Sequence, residues 1–251
     1  MTAKTTAIIF GASSALSQEL ARQLANEGVR LGLISPDLDS LGDLTQQLPD
    51  DTLLQAVNIN DIDDIAAAID SLWQQLGGAH LVLVNTGLNA YHPSLPWQID
   101  QDVIDVNVVG FAKACHLAFE RLREQSYGQL AAINSVSGVR GGPAMAFHAS
   151  KAFASNYLEG LRMHAQRLKL GITVSDVQLG QFDKFAQQGR TFWLSPLPVV
   201  AKQILAGLKK GKQKFHVTKR WWLVSTMFKL LPGYIYNTRR WKKKDKNKDK
   251  A

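Results

Sequence analysis

The sequence predicts one α/β domain built on a doubly wound parallel sheet with helices on both faces. Short apolar runs alternate along the chain with longer segments in which apolar residues recur at helical spacing. The first of the short runs is apolar along its length, as expected of a strand that is buried on both faces. A chain of 251 residues without an internal repeat is long enough for one such domain with a full core.

Four strands are predicted in the first half of the chain. Thr6–Phe10 comes first and is apolar along its length. Gly11 then turns the chain into a helix, in which Leu16, Leu20 and Leu24 recur at helical spacing. The other three strands are Arg30–Ser35, residues 53–57 and residues 81–85.

Two further helices lie between these strands. Asp37 or Asp39 caps the first of them, which is expected to run to about residue 48. The second is Ile62–Leu76, which Gly77 ends. We expect its inner face to consist of Ile62, Ile65, Ile69 and Leu72.

The second half of the chain contains two long helices and two strands. The helices are predicted over about residues 100–122 and 145–168, and the strands over residues 130–133 and 172–179. Residues 1–217 are therefore assigned to the domain, and residues 218–251 to an apolar and basic C-terminal extension.

The net charge of +8 is concentrated at the C-terminal end. Residues 1–200 hold 13 Lys and Arg against 19 Asp and Glu, a balance of −6, whereas residues 201–251 hold 16 against 2, a balance of +14. This asymmetry indicates that one end of the molecule meets an anionic surface.

Composition also bears on location. Residues 1–10 lack the apolar core of a signal peptide, and no run of about 20 apolar residues predicts a spanning helix. The single cysteine, Cys115, fits a reducing compartment. We expect a cytoplasmic protein, with a peripheral position at the inner face of the membrane as a further expectation, and we predict no metal site.

Residues 135–151 carry the strongest motif. Ser135-Val136-Ser137-Gly138, followed by Ala149-Ser150-Lys151, resembles the active-site segment of the short-chain dehydrogenase/reductase family. In that family a Ser near a strand end is followed by a helix with Tyr-x-x-x-Lys. The resemblance covers about residues 5–217. It implies a Rossmann-type fold and NAD(P)-dependent oxidoreduction of a carbonyl or alcohol. The substrate is expected to be a small molecule or lipid-like.

The resemblance also implies catalytic roles. Ser135 polarises the substrate oxygen, Lys151 holds the nicotinamide ribose, and Asn107 supports the proton relay. Phe147 stands where the family has its proton-donating Tyr. His148 is the nearest acid or base that can replace it. In the alternative interpretation, Phe147 fills the pocket floor and His148 faces solvent or a neighbouring subunit, and the protein is a non-catalytic relative that binds a nucleotide, a lipid or a partner.

A strand, a glycine turn and a helix predict a dinucleotide site at the start of the chain. The family pattern Gly-x-x-x-Gly-x-Gly reads here Gly11, Ala15 and Ser17, and we expect the side chain of Ser17 to shift the phosphate loop outward. The alternative is a plain turn that binds nothing. The predicted cofactor residues are Gly11, Ser13, Ser14, Leu16, Asn58, Asn85, Gly87 and Lys151.

The cofactor positions leave the choice between NAD and NADP open. The second strand ends in Ser35 and Pro36, and neither residue selects a ribose hydroxyl or a 2′-phosphate. Asp37 follows too late and is expected to cap the next helix. Further along the chain, Leu179 and Lys184 replace the family's Pro and Thr beside the nicotinamide.

The C-terminal extension combines apolar and basic residues. Its aromatic segment and the Lys-rich tail predict contact with an anionic membrane surface through residues 219–250. Alternatively, the Trp-bearing helix closes the substrate pocket or forms a dimer contact, and the tail is only a solvated end. No specific nucleic acid is predicted. By family analogy, the two long helices predict a homodimer.

Overall fold

The computed structural model describes residues 4–182 and 193–237. Within these ranges seven strands form one sheet, in the order β3-β2-β1-β4-β5-β6-β7. Every neighbouring pair is parallel. The strands are β1 (Thr6–Phe10), β2 (Arg30–Ser35), β3 (Leu53–Ala56), β4 (Leu81–Val84), β5 (Tyr127–Ser135), β6 (Gly171–Leu179) and β7 (Lys214–Val217). The predicted doubly wound, Rossmann-type α/β fold is confirmed.

Helices connect the strands and cover both faces of the sheet. They are α1 (Ala15–Asn26), α2 (Gly42–Thr45), α3 (Ile62–Leu76), α4 (Trp97–Ile104), α5 (Phe111–Gln125), α6 (Met145–Arg167), α7 (Leu197–Lys209), α8 (Arg220–Leu230) and α9 (Gly233–Asn237). Short 3₁₀ turns occupy Asp39–Leu41 and Val136–Val139, and a π-helical segment, Asp105–Gly110, joins α4 to α5.

The core consists of two apolar layers, one on each side of the sheet. Successive residues of β1 point to opposite faces, so Ile9 packs in the layer that contains α1 and α7, and Ile8 in the layer that contains α3 and α5. All five residues of β1 are buried. Burial on both faces explains why the strands read as continuous apolar runs in the sequence.

Three predicted helices differ from the structure. The helix predicted to reach about residue 48 is only a 3₁₀ turn followed by the single turn of α2, with Asp37 Oδ1 accepting a hydrogen bond from the Asp39 amide, 2.9 Å away. Ile62, predicted to point inward, is 41% exposed because it begins α3. The helix predicted over residues 100–122 starts earlier, at Trp97, and contains the π segment.

The described part of the C-terminal extension folds back onto the domain. Arg140, in the loop after β5, donates from Nη1 to the carbonyls of Phe228 (3.3 Å) and Leu231 (2.8 Å) at the end of α8. The hydroxyl of Tyr236 donates to the carbonyl of Gly141, 2.6 Å away. Among the described residues, no helix is long and apolar enough to cross a membrane.

Candidate functional site

Two cavities open at the carboxyl ends of the strands. The first, which we call the β1–β4 cavity, has a volume of about 260 Å³ and lies beyond the ends of β1 and β4. The strand order reverses at this point, because β2 and β3 lie on one side of β1 and β4 to β7 lie on the other. Ligands of doubly wound folds bind at such a switch point. The second, the β5–α6 cavity, has a volume of about 370 Å³ and lies beyond the end of β5.

Gly11 brings the loop after β1 close to the loop after β4. Its φ of +72° lies in the left-handed region, and a Cβ atom there would overlap the carbonyl of Asn85. Both residues line the β1–β4 cavity. Glycine is therefore required at position 11 on two independent grounds.

Ser17 is accommodated in the interior by hydrogen bonds. Its side chain is fully buried, and its hydroxyl accepts from Asn85 Nδ2 at 2.8 Å and from the Ser14 hydroxyl at 3.0 Å. Asn85 Nδ2 also donates to Ser14 Oγ at 2.8 Å, and Ser14 caps α1 by accepting from the Ser17 amide. The predicted cofactor residues Ser14 and Asn85 thus hold the turn together.

The remaining predicted cofactor residues divide into two groups. Ser13 and Gly87 line the β1–β4 cavity. The Leu16 side chain is buried in the core, so only its backbone amide, in the first turn of α1, remains for a ligand. Asn58 is exposed and does not line the cavity; its Oδ1 accepts from the Asn60 amide at 3.1 Å.

The loop after β4 contains a residue that the sequence reasoning missed. Thr86 lines the β1–β4 cavity, and its buried hydroxyl has no hydrogen-bond partner in the part of the chain that the structure describes. A buried hydroxyl without a partner is costly, and a ligand in the cavity would satisfy it. The signal in the sequence was a hydroxyl directly after the predicted strand at residues 81–85.

The end of β2 presents no charge to the β1–β4 cavity. Ser35 and Pro36 line the cavity, but the Ser35 hydroxyl donates to the carbonyl of Asp37 at 2.8 Å. The Asp37 carboxylate does not line the cavity; it accepts a hydrogen bond from the Asp39 amide, in place of capping the longer helix that was predicted. No Lys or Arg is found among the described residues that line this cavity.

Lys151 lies between the two cavities. A Cβ atom at Gly87, in the wall of the β1–β4 cavity, would lie 3.2 Å from Lys151 Nζ. On the other side, the ring centre of Phe147, in the wall of the β5–α6 cavity, is 5.6 Å from Nζ. Burial lowers the pKa of Lys151 to about 8, and the carboxylate of Asp176 partly offsets this effect.

Asn107 positions the start of the loop after β4 against α6. This buried residue lies in the π segment, a type of helical irregularity that is frequent at functional sites. Its Oδ1 accepts from the amide of Leu88 at 2.6 Å, and its Nδ2 donates to the Leu88 carbonyl (2.8 Å) and the Ser150 hydroxyl (3.1 Å). Every hydrogen-bonding direction of the side-chain amide is thereby directed at the backbone and helix around Lys151.

Asp176 forms a buried hydrogen-bond network next to Lys151. The carboxylate, on β6, accepts from Asn134, Ser155 and Gln178 at 2.7–3.1 Å. Lys214 Nζ lies 3.4 Å from Asp176 Oδ2. Asn134 Nδ2 also donates to the carbonyl of Lys151, so this network ties the end of β5 to α6.

Ser135 and His148 both line the β5–α6 cavity, with Phe147. The Ser135 hydroxyl accepts from the Ser137 amide at 3.1 Å and retains its proton for a ligand. His148 Nδ1 lies 3.0 Å from the carbonyl of Ser137 and 3.1 Å from that of Arg140, so Nδ1 carries a proton. The alternative in which His148 faces solvent is corrected, because these carbonyls hold its half-buried ring in the cavity wall.

Helix α8 forms one wall of the β5–α6 cavity. Its inner residues there are Trp221, Val224, Ser225 and Phe228. Gly180, after β6, permits this packing, because a Cβ atom at that position would overlap the Trp221 ring. Helix α8 therefore lines a cavity, and its role in closing a substrate pocket stays a prediction. Lys184 lies outside the described residues, whereas Leu179 lines the cavity.

Two polar atoms in this wall have no partner. The buried hydroxyl of Ser225 and the Gln181 Oε1 lack hydrogen bonds within the described residues. Both residues line the cavity, so they are candidates for contacting a bound molecule. No cluster of His, Cys, Asp or Glu in the described ranges is suited to a metal ion.

The comparison with known proteins decides the family. Residues 5–193 match the sequence model of the short chain dehydrogenase family. The chain belongs to the short chain dehydrogenase family. Among curated relatives, this short-chain dehydrogenase is 33% identical over 175 residues to an uncharacterised oxidoreductase of Myxococcus xanthus, covering 67% of the chain and 69% of the relative. It is 26% identical over 233 residues to an uncharacterised oxidoreductase of Mycobacterium tuberculosis, and the alignment covers 89% of this chain and 91% of that relative.

Solved structures show the same fold. Levodione reductase aligns with a TM-score of 0.76 at 18% identity, covering 86% of this chain and 96% of that protein. An actinorhodin polyketide ketoreductase variant crystallised with NADPH aligns with a TM-score of 0.72 at 19% identity, covering 81% and 89%. At these identities the similarity establishes the architecture of the short-chain dehydrogenase and does not extend to its substrate.

Proposed function

We propose that this short-chain dehydrogenase binds a nicotinamide dinucleotide and catalyses slow oxidoreduction of a carbonyl or alcohol substrate. The position of Lys151 between the β1–β4 and β5–α6 cavities is the observation that carries the proposal. One ammonium group can bond the ribose of a cofactor in the first cavity while it acts on the reacting groups in the second.

The residues of the β1–β4 cavity fit a dinucleotide. Gly11 allows the backbone to approach a bound dinucleotide closely. The buried hydroxyl of Thr86, which has no hydrogen-bond partner among the described residues, can bond to the same molecule. In this assignment, Gly87 and Lys151 hold the nicotinamide ribose, and Ser13 and the amides at the start of α1 hold the phosphates. The bound cofactor would supply or accept the hydride.

We further propose that NAD is preferred over NADP. A 2′-phosphate needs a cation beside the adenosine ribose, and the described lining residues of the β1–β4 cavity supply none. The hydroxyl of Ser35 is engaged by its own loop. Dissociation constants for NADH and NADPH, measured in parallel, test this preference.

Catalysis requires a proton as well as a hydride. When a carbonyl is reduced, its carbon gains the hydride and its oxygen gains the proton. Ser135 donates a hydrogen bond to that oxygen, but the Phe147 ring has no proton to give. In this proposal His148, whose Nδ1 is held by two backbone carbonyls, is the substitute acid and base. Loss of a well-positioned acid costs about 10²- to 10⁴-fold in rate, hence the slow turnover.

The substrate is expected to be a small or lipid-like molecule. Apolar side chains such as Val139, Phe147, Val224 and Phe228 dominate the β5–α6 cavity, and the unpaired polar atoms of Ser225 and Gln181 lie in its wall. An apolar pocket with few polar anchors selects a mostly apolar molecule and fixes its orientation.

A fluorescence titration with NADH and NADPH tests the proposal. Saturable binding below millimolar concentration, weakened in Lys151→Met, supports the oxidoreductase. Absence of binding by both cofactors at millimolar concentration excludes it. Binding without turnover on a broad carbonyl panel favours the rival function, a non-catalytic nucleotide-binding relative.

Assembly and location stay predictions. The homodimer through α5 and α6 is tested by light scattering on the purified chain. The cytoplasmic location is tested by fractionation of cells, with the membrane-associated fraction assayed separately.

A further inference from the structure

Helix α8 has apolar residues on two opposite faces. The inner face carries Trp221, Ser225 and Phe228 and lines the β5–α6 cavity. The outer face carries Trp222, Leu223, Met227 and Leu230, all of them exposed. At about 100° per residue, the centres of the two faces lie roughly 180° apart around the helix axis. The inner face is explained by the cavity, and the outer face is not.

Exposed apolar residues continue along the chain beyond α8. Leu230, at the end of α8, is 75% exposed, and Tyr234, on the next helix α9, is 74% exposed. We call Trp222, Leu223, Met227, Leu230 and Tyr234 the outer patch. Scattered exposed apolar residues need no explanation, but four of them on one helix face, followed by Tyr234, indicate an interaction site.

A basic groove adjoins the outer patch. Its volume is about 990 Å³, and it runs along β7 at the edge of the sheet. Trp222 belongs to both surfaces. The basic residues in the groove wall are Lys210, Lys212, Lys214, Lys219 and Arg220, and no carboxylate is found among its described lining residues.

Only part of this charge is neutralised within the protein. Lys214 pairs with Asp176, and Arg220 donates to backbone carbonyls and to the Ser195 hydroxyl. In residues 4–182 and 193–237, no ion pair joins Lys210, Lys212 or Lys219 to a carboxylate. Three ammonium groups are therefore available to anions outside the protein.

We propose that the outer patch and the basic groove together dock this protein on an anionic lipid bilayer. Trp222, Leu230 and Tyr234 enter the interface, and the groove lysines contact lipid phosphates. Apolar residues beside clustered cations are the combination that such interfaces select. The sequence adds eight Lys and Arg against two Asp over residues 238–251, directly after α9.

Charge favours a bilayer over two other possible partners, a second copy of the chain and a nucleic acid. A second copy of the chain related by a two-fold axis would bring two basic grooves together, and like charges would repel. A nucleic acid would neutralise the groove but leave the apolar patch in water. An anionic bilayer satisfies both surfaces at once.

Vesicle sedimentation with the full-length chain tests the proposal. We expect binding to phosphatidylcholine vesicles that contain phosphatidylglycerol, weak binding to phosphatidylcholine alone, and release at high salt. Trp222→Ser with Leu230→Ser, and separately Lys210→Glu with Lys212→Glu, should each weaken binding at least about tenfold. The matched control is Trp97→Ser on α4, because that side chain is 67% exposed and apolar but distant in sequence from the patch; it should bind vesicles normally.

Three results would overturn the proposal. They are equal binding to neutral and anionic vesicles, no binding to either, and loss of an oligomer, measured by light scattering, in the Trp222 and Leu230 variant. If the chain binds neither kind of vesicle, binding to DNA would assign the two surfaces to a nucleic acid. The NADH titration on the same variants separates this inference from the proposed enzymatic function, because the outer patch lies outside both the β1–β4 and the β5–α6 cavities.

Discussion

The ammonium nitrogen of Lys151 lies 5.6 Å from the centre of the Phe147 ring, four residues earlier on α6. An aromatic face at this distance attracts a cation, so Phe147 stabilises the charged lysine. A benzene ring has no proton to donate, whereas the family places a phenol at this position. In the proposed enzyme, the Phe147 ring therefore faces the lysine without supplying an acid.

The lowered pKa of Lys151 predicts how cofactor binding depends on pH. The ammonium form bonds the ribose, so the dissociation constant of NADH should rise by up to about tenfold per pH unit above about 8. Lys151→Met should bind NADH weakly and without this pH dependence. A constant affinity of the wild-type chain from pH 7 to pH 10 would contradict the assignment.

The same group predicts a change in stability. Burial lowers the pKa in the folded chain from 10.5 to about 8, so between these values the unfolded chain binds more protons. The contribution of Lys151 to the free energy of unfolding should therefore increase as pH rises through this window. Urea denaturation of wild type and Lys151→Met at pH 7 and pH 10 measures it, and the variant should gain stability mainly at pH 7.

The uncharged end of β2 predicts that cofactor preference can be changed at one position. Pro36→Arg places a guanidinium beside the β1–β4 cavity and should tighten NADPH binding about tenfold or more while leaving NADH binding nearly unchanged. Pro36→Ala is the control for loss of the ring. An equal effect of Arg on both cofactors would show that the adenosine ribose binds elsewhere.

The buried network of Asp176 predicts a large loss of stability. Asp176→Ala removes the acceptor for Asn134, Ser155 and Gln178 and should lower the free energy of unfolding by about 3–5 kcal/mol. Asp70→Ala removes a surface pair with Arg121 and should cost no more than about 1 kcal/mol. Urea titrations compare the two variants, and similar small losses would contradict the structural role of Asp176.

The hydrogen bonds of Arg140 are expected to hold α8 against the domain. Its guanidinium bonds two carbonyls at the end of α8 and lies 4.7 Å from the centre of the Tyr236 ring. In Arg140→Ala, trypsin should cleave after Lys219 or Lys229 about tenfold faster, with NADH affinity unchanged. The cleavage rate of Arg140→Lys should lie between those of the wild-type chain and Arg140→Ala. Unchanged cleavage in the Ala variant would mean that other contacts hold α8 in place.

Local patterns were sufficient to predict most of the sheet. β1 and β2 are apolar along their length, and burial on both faces produces that pattern directly. The edge strand β7 escaped prediction because Lys214–Val217 is short and partly polar, and its pairing with β6 is a long-range contact. α7 was likewise not assigned.

Within the site, the sequence identified the residues but not their partners. Gly11 lines the β1–β4 cavity, Ser135 lines the β5–α6 cavity, and Lys151 Nζ lies near one wall residue of each, because a motif fixes their place on a strand end or helix. Ser17 is buried with a hydrogen bond from Asn85, which is 68 residues away in the sequence. Such a long-range contact cannot be predicted from the residues around Ser17. The bonding of Asn107 to Leu88 also required the folded loop.

The turnover of Phe147→Tyr tests the central claim most directly, namely that the site is intact except for its acid. We predict that kcat for carbonyl reduction with NADH rises by about 10²- to 10⁴-fold, with little change in cofactor affinity. Phe153→Tyr, on the same helix and stacked on Tyr157, is the control and should leave kcat unchanged. A Phe147→Tyr variant that folds and binds NADH but gains no turnover would contradict the claim.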